Sequence, residues 1–414
     1  MLEDVYVGRA ALLRLRSCVL GPHLETFSTQ LVESGYPLKT IRNKIGVLGQ
    51  LARWMGAKGL VVDDLDELRA RAFVAARSRR GLRPRDVERT VLQFVEHLRS
   101  SDALTRPLPA RDDSEAAVVL AHYEHYLREE RAIAPCTIAA YRSVAQRFVV
   151  ESVEDCGAGP THPSAARVHE FLLARTRDIA PRRCQAFASA LRSFLRFLFL
   201  RGQTPVDLAC AIPMVRQGHV AAVQRHVAPE DVERILRTCD LSSATGRRDH
   251  AILLLLARLG LRAGEIVALD LDDLRWRDGE IIVRGKGLVR DRLPLLADVG
   301  AAIAQYVQQD RPSAACRRVF LCRKAPHRGF SHPSSVTTLV TRAFARAGVD
   351  SAAHGAHALR HSLATTMVRR GATLTEIGEV LRHRSPATTE IYAKLDFGAL
   401  RDVGLPWPVP GGGR

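Results

Sequence analysis

Along most of the chain, apolar residues recur at steps of three and four, which places them on one face of an α-helix. Arginines occupy many of the positions between them, so we expect helices that bury one face and expose a basic one. The clearest stripes are Ile138, Tyr141, Val144, Ala145 and Phe148, and then Leu191, Phe194, Leu195 and Leu198. The first half of the chain is therefore predicted to be helical.

The helical pattern of the first half occurs twice. Thr40 opens one apolar stripe, and Thr137 opens a similar stripe 97 residues later. Phe73 and Phe171 begin a second pair of similar segments, 98 residues apart. An offset preserved over two separate comparisons predicts a duplicated helical domain. Because two units are too few for a solenoid, we expect two tandem domains. Their predicted bounds are residues 1–110 and 114–212.

The second half is predicted to be a separate domain that combines helices with a small sheet. A polar linker, residues 213–227, precedes a helix that opens at Pro229. Two strand-like runs, Glu280–Arg284 and Asp291–Leu296, flank a Gly-Lys-Gly turn, which predicts a β-hairpin. The other expected elements are a strand at Arg318–Cys322 and helices at Ala251–Leu261, Ser335–Ala347, Ala358–Arg370, Leu374–Leu381 and Ala387–Lys394. This domain would cover residues 228–395, before a Pro/Gly-rich tail at 396–414.

The charge balance indicates a polyanionic partner. The 414 residues include 61 Lys and Arg against 44 Asp and Glu, a formal net charge of +17. On a folded chain this surplus favours nucleic acid as the partner, although a general compositional bias toward arginine would also raise the charge. The same surplus disfavours a module that binds only other proteins.

Several other classes of protein are disfavoured. No apolar run is long enough to span a membrane, and the N-terminus lacks the apolar core of a signal peptide. The 8 cysteines form no CxxC pair, which is typical of a reduced cytosolic protein rather than of a disulfide framework or a zinc site. We therefore expect a cytoplasmic protein without a membrane partner or a bound metal.

Six side chains of the second half are candidates for chemistry: Arg262, Lys286, His357, Arg360, His383 and Tyr392. Arg262 lies at a turn between helices, where Gly260 relaxes the backbone. His357 and Arg360 are three residues apart, so they share one face at the start of a helix. Each candidate also has an ordinary explanation when it is taken singly. Arg262, for example, would form a surface ion pair with Glu265.

Taken together, the order Arg, Lys, His-x-x-Arg, His and Tyr resembles the catalytic domain of the tyrosine recombinases, which include phage integrases and chromosome-dimer resolvases. The segments that carry the resemblance are GLRAGEIVALDLDDLRW, VRGKGLVRDRLPL and HALRHSLATTMVRRGATLTEIGEVLRHRSPATTEIY. They lie within residues 228–395. Residues 114–212 resemble the core DNA-binding domain of the family more loosely. Two positions depart from the common family pattern: Gly264 stands where family members often have serine, and Arg382 stands where many have glycine.

The resemblance implies a fold that is mainly α-helical with a small β-sheet. Tandem helical (SAM-like) DNA-binding domains would be followed by an α+β catalytic domain. Residues 1–110 would then be an additional domain, which we interpret as a duplicate of the core-binding domain. Three roles stay open for it: binding a second DNA element, lengthening the clamp around the core site, and contacting other protomers.

The resemblance also implies how the candidates act on a DNA phosphodiester. Tyr392 would be the nucleophile and would form a covalent 3′-phosphotyrosyl intermediate. Arg262 and Arg360 would stabilise the negative charge that attack builds on the phosphate, because their planar guanidinium groups present several donors. His383 would donate another hydrogen bond to a non-bridging oxygen.

Two further candidates would move protons. His357 would act as the general base or orient it, and Lys286 would protonate the leaving 5′ oxygen. A free 5′-hydroxyl of a second strand would then attack the intermediate, so strands exchange without ATP. Neither a cofactor nor a metal is expected, because the arginines neutralise the charge that Mg²⁺ ions neutralise in a nuclease.

The leading interpretation is a site-specific DNA recombinase that serves integration, excision or transposition of a mobile element. One alternative is a type IB topoisomerase-like nicking-closing enzyme, and another is a catalytically silent DNA-binding or architectural partner of a recombinase. The complete set of six side chains disfavours the silent partner. The expected partners are double-stranded DNA, a homotetramer in a synaptic complex, and other recombinases or DNA-bending factors. The expected location is the bacterial nucleoid.

Overall fold

The computed structural model describes residues 2–5, 9–78, 84–104, 114–156, 163–214, 227–285, 290–350, 355–383 and 389. The chain divides into two compact units. One unit is residues 106–221, and the other combines residues 1–105 with residues 222–414. The predicted domain bounds at residues 110, 114, 212 and 228 stay predictions.

The first 105 residues form helices around a core of their own. The helices are α1 Leu2–Val5, α2 Arg9–Arg16, α3 Gly21–Glu33, α4 Leu38–Gly56, α5 Glu67–Ser78 and α6 Pro84–Ser100. Phe27 and Phe94 are fully buried at the centre and pack edge to face, with ring centroids 5.2 Å apart. Burial of these apolar faces stabilises helices whose outer faces are polar.

Residues 106–221 form a second helical unit. Its helices are α7 Glu115–His125, α8 Pro135–Cys156, α9 Ala165–Thr176 and α10 Pro181–Leu200, and a π-helical turn, Tyr126–Glu130, extends α7. Helices α8, α9 and α10 begin 97, 98 and 97 residues after α4, α5 and α6. The order and spacing of these helices therefore match the repeat in the sequence. Phe148, Phe171 and Phe194 are buried in the core of this unit.

Residues 227–383 form the mixed part of the other unit. Its elements are α11 Pro229–Arg237, α12 Ala244–Leu259, α13 Ala263–Ala268, β1 Leu274–Arg275, β2 Glu280–Arg284, β3 Arg290–Pro294, α14 Ala297–Gln309, α15 Ser334–Ala347, α16 Ala356–Arg369 and α17 Leu374–Leu381. The sheet is antiparallel in the order β1-β2-β3. The predicted hairpin is confirmed as β2 and β3, with Ile281 opposite Leu293 and Val283 opposite Asp291.

Helix α12 is the central helix of this part, and its apolar run is buried on every side. The Ser243 hydroxyl caps its first turn by accepting a hydrogen bond from the Gly246 amide at 3.0 Å. Gly260 ends the helix in the left-handed region, with φ 58°. A β-carbon at Gly260 would lie 2.7 Å from Cδ2 of Leu381, so α17 packs directly against this turn. The expectation that Gly260 relaxes the backbone is confirmed.

The predicted strand at Arg318–Cys322 is wrong. This segment forms only isolated bridges, from Arg318 to Asp270 and from Leu321 to Gly329. The Val319 amide donates to the Leu269 carbonyl at 2.9 Å, but the chain then changes partners before a ladder can develop. A short run of apolar residues, Val319 to Cys322, gives the segment strand character, whereas a strand also needs one continuous neighbour.

Most of the helices predicted after α14 are present in the structure. The helices predicted at Ser335–Ala347, Ala358–Arg370 and Leu374–Leu381 are confirmed as α15, α16 and α17. The helix predicted at Ala387–Lys394 lies outside the described residues apart from Thr389. Within the described ranges, no helix is both long and apolar enough to cross a membrane. The same ranges contain no group of His, Cys, Asp or Glu side chains suited to hold a metal ion.

Candidate active site

Arg262 lies at the N-terminus of α13, in the short turn that follows α12. Its backbone is extended, with φ −80° and ψ 151°, and its amide donates to Oε2 of Glu265 at 2.8 Å. Its Nη1 donates to Oε1 of Glu265, also at 2.8 Å. The ordinary ion pair considered from the sequence therefore exists. It orients the guanidinium rather than hiding it, because Glu265 is buried whereas the Arg262 side chain stays 39% exposed.

Arg360 is buried in the first half of α16, with 4% of its surface exposed. Its Nη1 donates to the carbonyl of Gly260, and its Nη2 donates to the carbonyl of Leu381. These carbonyls end α12 and α17, where the helix dipoles are negative and the backbone lacks partners of its own. Arg360 therefore joins the two helix ends that precede Arg262 and His383.

His383 follows α17 and is fixed from two directions. Its amide donates to the Gly378 carbonyl at 2.8 Å, and its Nδ1 lies 2.8 Å from the hydroxyl of Thr389. Burial, reinforced by the positive charges of Arg360 and Arg262, lowers the pKa of His383 to about 4. The imidazole is thus neutral near pH 7. When Nδ1 accepts from Thr389, Nε2–H is left as the donor.

His357 occupies the first turn of α16 and is exposed. Its ring centroid lies 6.4 Å from that of His361, one turn further along the helix. Burial, together with the charges of His357 and Arg360, lowers the pKa of His361. The sequence prediction named His357 and Arg360 and missed His361, although the i, i+4 spacing from His357 was its signal.

Lys286 and Tyr392 lie outside the described residues, while the strands that flank Lys286 are described. At the end of β2, the Arg284 guanidinium pairs with Asp270 and Asp273, each at 2.9 Å. These ion pairs fix the end of β2, two residues before Lys286 in the sequence.

The structure brings three of the six candidates into one cluster: Arg262, Arg360 and His383. Nη2 of Arg262 donates to the carbonyl of Arg382 at 3.3 Å, which links Arg262 to the backbone immediately before His383. Thr389 was missed by the sequence analysis. Its signal was its position three residues before Tyr392, on the same face of the predicted helix. A cluster with two guanidinium groups and a histidine donor suits stabilisation of a negatively charged phosphoryl group.

One family model matches the mixed helix-and-sheet part of the chain, and another matches the second helical unit. A model of the phage integrase family matches residues 225–398, which include all six candidates. A model of the phage integrase N-terminal SAM-like domain matches residues 120–202, within the second helical unit.

Individual proteins are similar over much longer stretches. The y4rA protein of Sinorhizobium fredii, which is named as an integrase/recombinase, is 41% identical over 385 residues, or 92% of this chain and 93% of y4rA. The tyrosine recombinase XerD of Listeria innocua is 29% identical over 67% of this chain and 94% of XerD. A crystal structure of the XerH site-specific recombinase on a palindromic difH substrate superposes with a TM-score of 0.52. That match has 19% identity and covers 69% of this chain and 83% of XerH.

The family matches over both parts of the chain thus define the class of protein as an enzyme of DNA strand transfer. The chain belongs to the phage integrase family of tyrosine recombinases. It is a tyrosine-type site-specific DNA recombinase, and the predicted resemblance is confirmed. The topoisomerase-like and silent alternatives are not favoured.

Proposed function

We propose that this recombinase cuts DNA with Tyr392 as the nucleophile and with Arg262, Arg360 and His383 as the groups that stabilise the phosphoryl transition state. The observation that carries the proposal is the convergence of these three side chains at the ends of α12 and α17. The positive charges of both arginines lie close enough to His383 to lower its pKa, which supports a common site.

The reaction would proceed in two steps, cleavage of one strand and rejoining to another. The Tyr392 phenolate oxygen attacks phosphorus, the bond from phosphorus to the 5′ oxygen breaks, and a 3′-phosphotyrosyl bond forms. His357 accepts or directs the phenol proton, and Lys286 delivers a proton to the departing 5′ oxygen. A 5′-hydroxyl from the partner strand then attacks the same phosphorus and releases the tyrosine. The energy of the first bond is conserved, so no nucleotide is consumed.

The assembly that follows from this chemistry is a homotetramer on two DNA sites in the bacterial nucleoid. Exchange between two duplexes requires four strand cleavages, and each protomer supplies one tyrosine. The formal charge of +17 favours association with DNA, with a strong dependence on salt. Other recombinases or DNA-bending factors would join where the two sites differ.

A nicked suicide duplex tests the proposal, because loss of the short cleaved strand traps the covalent intermediate. The recognition sequence is first selected from a random library with the full-length protein. We expect a protein–DNA adduct with the wild-type chain, and none with Tyr392→Phe, which retains DNA binding. Adduct formation by Tyr392→Phe would assign the nucleophile to another residue.

We also propose that residues 1–105 contact DNA. On α4, Arg42, Asn43 and Arg53 are exposed, and α4 is the repeat counterpart of α8, which exposes its own Arg147. A cleft of about 460 Å³ beside α4 is lined by Gln50, Arg53, Trp54, Phe73, Ala76 and Arg77. Arginines beside aromatic rings suit phosphate and base contacts.

A further inference from the structure

Arg382 adopts a backbone conformation that side chains other than glycine rarely adopt. It ends α17 with φ 55° and ψ 52°, in the left-handed region. A β-carbon is strained there, which is why glycine is the usual residue at such helix ends. Many proteins of the family have glycine at this position, so the arginine side chain adds local backbone strain in this chain.

The Arg382 side chain turns inward rather than into solvent. It is 7% exposed, and its Nη2 donates to Oε2 of Glu265 at 2.7 Å. Its Nε lies 3.7 Å from a carboxylate oxygen of Asp291 on β3, beyond hydrogen-bond distance. Within the described part of the chain, Nε and Nη1 have no hydrogen-bond partner. A buried guanidinium destabilises the fold unless a carboxylate compensates its charge. Glu265 lies within hydrogen-bond distance and Asp291 does not, so Glu265 is the main anchor.

Glu265 connects this anchor to Arg262. Its carboxylate accepts hydrogen bonds from the amide of Arg262, from Nη1 of Arg262 and from Nη2 of Arg382. In return, the carbonyl of Arg382 accepts a hydrogen bond from Nη2 of Arg262. The Arg262 guanidinium is thus held on one edge by Glu265 and on the other by the Arg382 backbone. His383 is the next residue, so the same anchor fixes the start of its backbone.

We propose that Arg382 is a positioning residue for DNA cleavage, which holds Arg262 through Glu265 and fixes His383 through the backbone. The proposal rests on the assignment of Arg262 and His383 to the transition state. Glycine at position 382 would preserve the turn but would remove the side-chain anchor. Lysine would restore one cationic donor to Glu265, whereas glutamine is shorter and carries no charge.

Single-turnover adduct formation on the suicide duplex tests this role in the full-length protein. We expect R382G and R382Q to slow the reaction on the order of 10-fold to 100-fold, because a small misplacement of a stabilising group is enough for such a loss. We expect R382K to recover most of the rate, with DNA affinity within about twofold of wild type in all three variants. The matched control is D291N, which removes only the longer ion pair and should leave the rate within about twofold of wild type.

A second substrate separates positioning of Arg262 from positioning of Lys286. When sulfur replaces the bridging 5′ oxygen, the leaving group departs without protonation, so a defect in proton delivery disappears. We expect the R382G defect to persist on the sulfur substrate. Full recovery on that substrate, a wild-type rate for R382G, or an equal loss in R382K would each overturn the proposal. If R382G fails to fold, the difference in adduct-formation rate between R382K and R382Q tests the proposal, and equal rates overturn it.

The wild-type chain and Arg262→Ala test the active-site assignment separately from the role of Arg382. Adduct formation by the wild-type chain and its loss in Arg262→Ala establish the site independently of position 382. If R382G then forms the adduct at the wild-type rate, only the proposed role of Arg382 is refuted.

Discussion

The hydroxyl of Thr389 lies 2.8 Å from Nδ1 of His383, and the threonine side chain is buried. This contact sets the orientation of the imidazole ring and favours the form in which Nε2 carries the proton. It also links the turn after α17 to the segment that continues toward Tyr392, three residues beyond Thr389.

Loss of the Thr389 hydroxyl should impair cleavage without impairing DNA binding. Thr389→Val keeps the shape of the side chain and removes the hydrogen bond, so we expect adduct formation to slow about tenfold. Thr389→Ser retains the hydroxyl and should stay within about threefold of wild type. Equal rates for the valine and serine variants would contradict a role for this hydrogen bond in cleavage.

Substitution of Gly260 should destabilise the protein through both strain and overlap. Gly260→Ala forces a β-carbon into the left-handed region and against Leu381, so we expect a loss of about 2–4 kcal/mol in the free energy of unfolding. Gly279→Ala is the matched control, because Gly279 has φ 64° and open space where its β-carbon would lie. It should lose only about 1 kcal/mol. Urea denaturation of both variants measures the difference, and similar losses would contradict tight packing of α17 on this turn.

Replacement of Arg360 by lysine should reduce both stability and cleavage. One ammonium group cannot reach the carbonyls of Gly260 and Leu381 with the geometry of a planar guanidinium, so at least one buried carbonyl loses its donor. We expect a loss of about 1–3 kcal/mol in the free energy of unfolding. Adduct formation should decrease even below the melting temperature of the variant. An unchanged melting temperature would show that the two helix ends do not depend on Arg360.

The pKa of His383 predicts how stability depends on pH. In the unfolded chain the imidazole binds a proton as pH falls through about 6.5, whereas in the folded chain it does so only near 4. The contribution of neutral His383 to stability is therefore complete above pH 6.5 and is lost as pH falls toward 4. We expect a difference of about 1–2 kcal/mol, after allowance for solvent screening of a partly exposed ring.

Urea denaturation near pH 7 and near pH 4.5 measures this effect. The wild-type chain should lose more stability between the two pH values than His383→Gln, whose amide does not titrate. Parallel losses would mean that the pKa of His383 is not lowered by folding.

Charge reversal on α4 tests the proposed DNA contact of the first region. Arg42→Glu combined with Arg53→Glu should shorten the protected DNA footprint and reduce the dependence of affinity on salt. Arg14→Glu combined with Arg71→Glu changes the charge equally at exposed positions outside α4 and should leave the footprint length unchanged. A full-length footprint with the first pair would contradict a contact through α4.

Local patterns were sufficient to predict most helices and the hairpin. The apolar steps that begin at Thr40 and Thr137 depend only on which face of a helix is buried, and α4 and α8 form where these stripes lie. The segment Arg318–Cys322 shows the limit of this reasoning. Its run of apolar residues has strand character, but its bridge partners, Asp270 and Gly329, lie outside strands, and no local pattern identifies them.

The sequence by itself determined the family, the helical repeat and the identity of the candidate side chains, because these depend on residue types at short, regular spacings. The tertiary structure decided how the candidates are held. Arg360 serves two carbonyls at residues 260 and 381, and Glu265 is shared by arginines at positions 262 and 382. The contact from Arg360 to Gly260 joins residues 100 positions apart, and the contact from Arg382 to Glu265 joins residues 117 positions apart. Only packing of α12, α16 and α17 brings these pairs within hydrogen-bond distance. The arginine at position 382 appeared in the sequence only as a departure from the family pattern, and its burial beside Glu265 is what assigns it a role.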